Sequence, residues 1–207
     1  MRVICSALVA GLLFISNQAF AQVKEGSHQG KFQLGMTMPL TKVEVGNSGE
    51  TEKSGKIGPA FGFGYDYQYN KNFSFGGEWS YKAWAKNSFT INGTGVTITP
   101  KGWTLLATAK GQLMPDEKLR PYGLFGLGFN GLSAKVDVPT SPSNNSSEST
   151  TGVAFALGGG ADYDINDQWL AGGELRWNYQ GTSKAKMGTS NYTSFDFLFN
   201  LGYKFGA

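Results

Sequence analysis

The residues best placed to do chemistry are charges in an unusual background. Asp66, Glu78, Lys82, Lys110, Arg120, Asp162, Glu174, Arg176, Asp196 and Lys204 each lie where large apolar residues alternate with small or polar ones, and each falls on the polar parity. Lys31 and Asp164 share that parity. Acids and bases match in number along it, which suits mutual pairing, because a charge taken out of water costs several kcal/mol unless it meets a partner. The expectation is an internal charge network that plugs the structure, with Glu78, Lys82, Arg120, Glu174 and Arg176 as its central cluster. A gated conductance path through the same charges is the alternative.

Catalytic sets are harder to assemble. His28 is the only histidine and Cys5 the only cysteine. A Ser-His-carboxylate arrangement must therefore use His28 or nothing, and the scarcity of His and Cys argues against a metal site. No catalytic, cofactor-binding or metal-ligating residue is assigned, no cofactor is expected, and the chain is read as a non-enzyme. The run Gly126-Leu127-Gly128-Phe129-Asn130-Gly131 satisfies G-x-G-x-x-G. A dinucleotide site needs that turn between a strand and a helix. Here it lies inside an alternating stretch, where glycines give room and let a strand coil.

The elements that must position these residues are strands. The last, Tyr192 to Phe205, sets Phe195, Phe197, Phe199, Leu201, Tyr203 and Phe205 against Ser194, Asp196, Leu198, Asn200, Gly202 and Lys204. That is one apolar and one mostly polar face at period two. The stretch is long enough to cross a bilayer at a tilt, which takes about 9–11 residues. The pattern recurs near 30–38, 60–69, 73–82, 103–113, 119–132, 153–165 and 169–179. In the stretch 119–132 the parity is ambiguous, and Phe125, Leu127 and Phe129 make the better outward set. Polar connections at 41–56, 85–99, 133–151 and 180–191 alternate with short turns at 70–72, 114–118 and 166–167. The run from Pro139 to Ser147 is of low complexity and is expected to be mobile. The fold class expected is all-β: an eight-stranded antiparallel up-and-down transmembrane β-barrel.

Composition agrees. The chain has 30 glycines, 14% aromatic residues and only 16% charged residues, against a usual ~25% charged. Its formal net charge of +3 is too weak to imply a nucleic-acid partner. Residues 1–21 read as a signal peptide, with Arg2, an apolar run from Val3 to Ile15 and Ala19-Phe20-Ala21 before the cleavage point. Residues 22–207 then form the barrel domain, without a cysteine.

Parity alone does not say which face is inside. The apolar parity carries no charge, while the other is rich in Gly, Ala, Ser and Thr rather than in the Lys and Glu of a solvated surface. Small residues suit the narrow lumen of an eight-stranded barrel, so the large apolar set faces lipid. Trp79, Trp103, Trp169, Trp177 and tyrosines near strand ends then supply the interfacial girdles.

The last strand, the segment Arg120–Phe129 (RPYGLFGLGF) and the segment Ala161–Trp177 resemble the eight-stranded outer-membrane barrel superfamily. That group includes the transmembrane domain of outer membrane protein A, X- and W-type outer membrane proteins and opacity proteins. Members usually end on the terminal aromatic, whereas Gly206-Ala207 follow Phe205 here. The resemblance implies the cell outer membrane of a Gram-negative-type bacterium, periplasmic termini, and lipids, lipopolysaccharide and the barrel assembly machinery as partners. A structural or surface-interaction role of the adhesin or opacity kind follows, with a host or extracellular ligand as a further partner. A small channel for ions or apolar solutes is the alternative. Lys86, Lys101, Lys184 and Lys186, in or beside two of the long loops with no acid among them, form a candidate basic patch. Such point charges suit lipopolysaccharide phosphates or an acidic polymer; the competing reading is a merely solvated rim.

Overall fold

A computed structural model describes residues 24–45, 50–53, 56–91, 94–137, 146–183 and 189–206. The segment read as a signal peptide lies outside these residues, as do Lys184, Lys186 and residues 139–145 of the low-complexity run. The strands are β1 (His28–Pro39), β2 (Lys42–Val45), β3 (Glu50–Lys53), β4 (Gly58–Gln68), β5 (Phe73–Ala83), β6 (Asn87–Ile91), β7 (Thr94–Gln112), β8 (Leu119–Asp137), β9 (Ser146–Asp164), β10 (Trp169–Gly181) and β11 (Asn191–Phe205).

Eight of these close a ring. The order β5-β4-β1-β11-β10-β9-β8-β7 returns on itself through a β5–β7 pairing, and every pair is antiparallel. This is the eight-stranded barrel expected. Following hydrogen-bonded partners from Gln33 one way round leads to Arg120 on β8, and the other way to Asn130 on the same strand. Closing the ladder with that offset tilts the strands roughly 40° to the axis. Residues at one height on the axis are therefore not register partners.

The long connections are more ordered than their polar composition suggests. The stretch 41–56 carries the hairpin β2–β3, and 85–99 carries β6 and the first part of β7. The stretch 133–151 gives its ends to β8 and β9, which pair from Val136–Ser146 downward. Thr94–Pro100 explains why: Val96 and Ile98 alternate with threonines, and β-branched residues extend a ladder beyond a bilayer as well as within it. Lys101 accordingly lies within β7 rather than in a loop.

The large apolar residues point outward. Phe125, Leu127 and Phe129 are 50, 58 and 64% exposed, which resolves the parity of β8. Leu198 is buried on the inward face as its parity implies, and Leu106, Leu124 and Leu170 join it there, which makes that face less polar than the alternation implied. Bare backbone makes space for long inward side chains. A side chain at Gly64 would strike the aliphatic stem of Lys31, and one at Gly160 would meet the Tyr122 phenol at 2.7–2.8 Å. No helix among the described residues is long and apolar enough to cross a membrane; the crossing elements are strands.

Candidate functional site

The inward charges form tiers along the lumen. Near the short turns, at the end where both termini lie, Asp164 accepts from Arg120 at 2.7 Å and lies 3.0 Å from Lys204. Above it, Lys110 donates to Asp66 at 2.6 Å, and Lys31 bridges Asp66 and Glu78 at 3.6 and 3.4 Å. In the middle, the Arg176 guanidinium holds Glu78 through two nitrogens and also binds Glu174. Nearest the long loops, Lys82 meets Asp196 at 2.7 Å. All of these except Lys204 are buried.

The middle tier continues through neutral groups. The Gln33 carboxamide lies 3.2 Å from both Glu78 and Asn200. Asn200 donates to the Tyr122 hydroxyl at 3.2 Å, and that hydroxyl donates to Glu174 at 2.8 Å. Glu174 is thereby fixed on one side by a guanidinium and on the other by a phenol. Charge-assisted, forked contacts of this kind are about twice as strong as neutral hydrogen bonds. The chemistry such a lattice supports is mutual neutralisation across the barrel.

The membership differs from the expected central cluster. Glu78, Glu174 and Arg176 come together, but Lys82 joins Asp196 and Arg120 joins Asp164. The stagger is the cause: Arg120 is the second residue of β8 and lies at the short-turn end, well below Arg176. Asp162 is buried and makes no ion pair within 4.0 Å among the described residues, and its Oδ1 lacks a hydrogen-bond partner there. Sequence reasoning missed Tyr122 and Gln33. Tyr122 shares the parity of Arg120, so settling the parity of β8 would have found it. It also missed Trp84, which follows β5 on the inward parity and is buried against Leu132 and Tyr192.

Of the basic patch, Lys86 and Lys101 are exposed at the long-loop end; Lys101 pairs in register with Ala83 and Ser133. His28 lies on the outward parity at the other rim. Its ring stacks on Phe205 at 5.7 Å, and its Nδ1 is 2.5 Å from the Tyr65 hydroxyl. It lies on the opposite face of the barrel wall from the lumen carboxylates. The G-x-G-x-x-G run lies wholly within β8, with no helix after it. No group of three or more His, Cys, Asp and Glu with metal-holding geometry occurs among the described residues.

Comparison with known proteins places this arrangement. Residues 6–205 match the model of the outer membrane protein beta-barrel domain. No curated protein sequence matches the chain. Among solved structures, Ail, the attachment invasion locus protein of Yersinia pestis, aligns with a TM-score of 0.54 at 17% identity, covering 88% of this chain and all of that one. OprG of Pseudomonas aeruginosa aligns at 0.53 and 15%, covering 91% of this chain and all of that one. Neisserial surface protein A aligns at 0.53 and 17%, covering 87% and 98%. At such identities the likeness is one of fold.

Proposed function

We propose that this chain, which belongs to the outer membrane protein beta-barrel family, works through its long-loop rim, while its lumen is a closed, ion-paired interior. The observation that carries the reading is the ladder of buried pairs running from Arg120–Asp164, through Arg176 with Glu78 and Glu174, to Lys82–Asp196. Opening a path would separate buried charges from the partners that neutralise them, and each separation costs several kcal/mol. In this reading the lumen charges hold the barrel together and the role is non-catalytic. The place of His28 on the outward face, against Phe205 and Tyr65 rather than a carboxylate, supports the latter.

The termini and short turns then face the periplasm and the long connections face outward, since outer-membrane barrels carry short periplasmic turns and longer external loops. Lys86 and Lys101, with Lys184 and Lys186 in the last long loop, would meet phosphates of lipopolysaccharide or a sulfated or carboxylated polymer. A structural relative, Ail, has been solved in complex with the heparin analogue sucrose octasulfate, which makes a polyanion a reasonable first ligand to try. The partners inside the cell envelope are outer-membrane lipids and the barrel assembly machinery.

Swelling of proteoliposomes tests the closed lumen. Swelling no faster than in protein-free vesicles supports it, and solute-size-dependent swelling overturns it in favour of a small channel. One observation favours that rival: Asp162 is buried with no ion-pair partner among the described residues, as a hydrated path would allow.

A further inference from the structure

The layer of the lumen above the ion ladder is apolar. Trp84, Leu132 and Tyr192 form a buried cluster at the long-loop end. Trp84 directly follows β5, and the other two lie on β8 and β11. These strands stand three, three and two places apart around the ring, so the side chains converge from three sides. The Trp84 and Tyr192 rings meet across the lumen with centroids 4.6 Å apart.

The surrounding backbone is cut to fit this lid. A side chain at Gly102 would lie 2.6 Å from Leu132 Cδ2 and 3.5 Å from the Trp84 ring, and one at Gly58 would lie 2.8 Å from the Trp84 Cα. The Trp84 amide donates to the Pro100 carbonyl at 3.2 Å, and Ala85 and Lys56 exchange backbone hydrogen bonds. Next to Tyr192, the Thr193 amide donates to the Thr41 hydroxyl at 2.6 Å. The lid is thus tied to β7 and to both ends of the first long connection.

Exposure changes at this layer. On the inward parity leaving β5, Lys82 and Trp84 are buried and Lys86 is exposed. On β11, Asp196, Ser194 and Tyr192 are buried, and Ser190 beyond them is exposed. On β8, Asn130 and Leu132 are buried and Ala134 is half-buried. Directly beneath the lid, Lys82, Asp196, Asn178 and Gln180 are each at most 2% exposed. Such groups take up water wherever it reaches them, because burying a polar group has a cost. An apolar constriction excludes water by dewetting.

We propose that the lid of Trp84, Leu132 and Tyr192, and not the Lys82–Asp196 pair beneath it, is the outer water seal of the lumen. This rests on the closed-lumen reading and adds which element does the closing. The ion pairs tie opposite walls together, and the lid keeps water from them, which preserves the low local dielectric that strengthens a buried pair. Removing the lid hydrates the upper lumen while the lower tiers stay paired.

Residues 22–207 contain no cysteine, so single cysteines report water access in that chain, refolded in nanodiscs and treated with a charged methanethiosulfonate. Ser194 lies between Tyr192 and Asp196 on β11 and is 1% exposed, so Ser194→Cys reads the level just beneath the lid. Thr108 is buried and pairs in register with Gly76, two residues from Glu78, so Thr108→Cys reads the middle tier. Both should be protected in the otherwise unsubstituted chain. Trp84→Ala should speed reaction at position 194 at least tenfold and leave position 108 unchanged. Leu132→Ala should act in the same direction, and it serves if Trp84→Ala fails to give a folded, heat-modifiable barrel. Lys82→Met with Asp196→Leu should leave position 194 protected. Rapid reaction at 194 but not at 108 with the lid intact would overturn the proposal and leave the ladder as the seal. Rapid reaction at both would overturn the closed lumen itself. Continued protection of 194 in the folded lid variants, or its loss in the ion-pair double variant, would also overturn the proposal.

Discussion

Lys82 on β5 and Asp196 on β11 touch at 2.7 Å although two strands, β4 and β1, lie between them on the wall. The pair spans the lumen, so it ties opposite sides of the barrel together. Lys82→Met leaves a buried, unpaired carboxylate, and removing one partner of a buried pair costs about 3–5 kcal/mol. Urea unfolding in lipid vesicles should show a loss of that order. Lys82→Met with Asp196→Leu should recover most of it.

Gly64 gives way to the stem of Lys31, and Lys31 in turn bridges Asp66 and Glu78. Gly64→Leu should expel the lysine and unbalance two tiers at once. The expected outcome is a sharply lower yield of heat-modifiable, folded barrel on electrophoresis. Gly123→Ala is the control, because nothing lies within 4 Å of a side chain there; it should fold as the parent does.

Phe199 sits midway along the outward face of β11, 59% exposed, beside Leu34 and Gly173 in register. Arg on the lipid face near the bilayer midplane costs about 2–4 kcal/mol. Phe199→Arg should destabilise the barrel in vesicles by that amount. By contrast Asp116→Asn, which breaks the exposed Lys71–Asp116 contact between two short turns, should change stability by less than about 1 kcal/mol.

His28 closes the seam between the first and last strands by stacking on Phe205 and meeting the Tyr65 hydroxyl. An aromatic pair is worth about 0.5–1.5 kcal/mol and a hydrogen bond about as much. His28→Ala should therefore lower the unfolding midpoint, and His28→Phe should restore part of the loss.

The barrel was legible because alternation is a local property: Phe195 to Phe205 states its own face, and so do the other crossing strands apart from β8, whose parity the sequence left ambiguous. The charges on the inward parity were legible for the same reason. Their partners were not. Which acid meets Lys82 depends on the stagger that separates Arg120 from Asn130 around the ring, and no single stretch of sequence carries that offset. The ordered ends of the long connections were missed because Thr94–Pro100 and Ser146–Gly152 read as polar, although a ladder needs only extended backbone and a neighbour. Trp84 escaped because it follows the last residue of β5, where an inward aromatic looks like one more girdle residue.

The closed lumen is tested most directly by single-channel recording of the refolded chain in a planar lipid bilayer. Inserted protein, confirmed as folded by its heat-modifiable migration, should leave the bilayer silent, with no steady conductance across the applied voltage range. Sustained ion-selective openings would contradict the account and make the ladder from Asp164 to Asp196 a selectivity path.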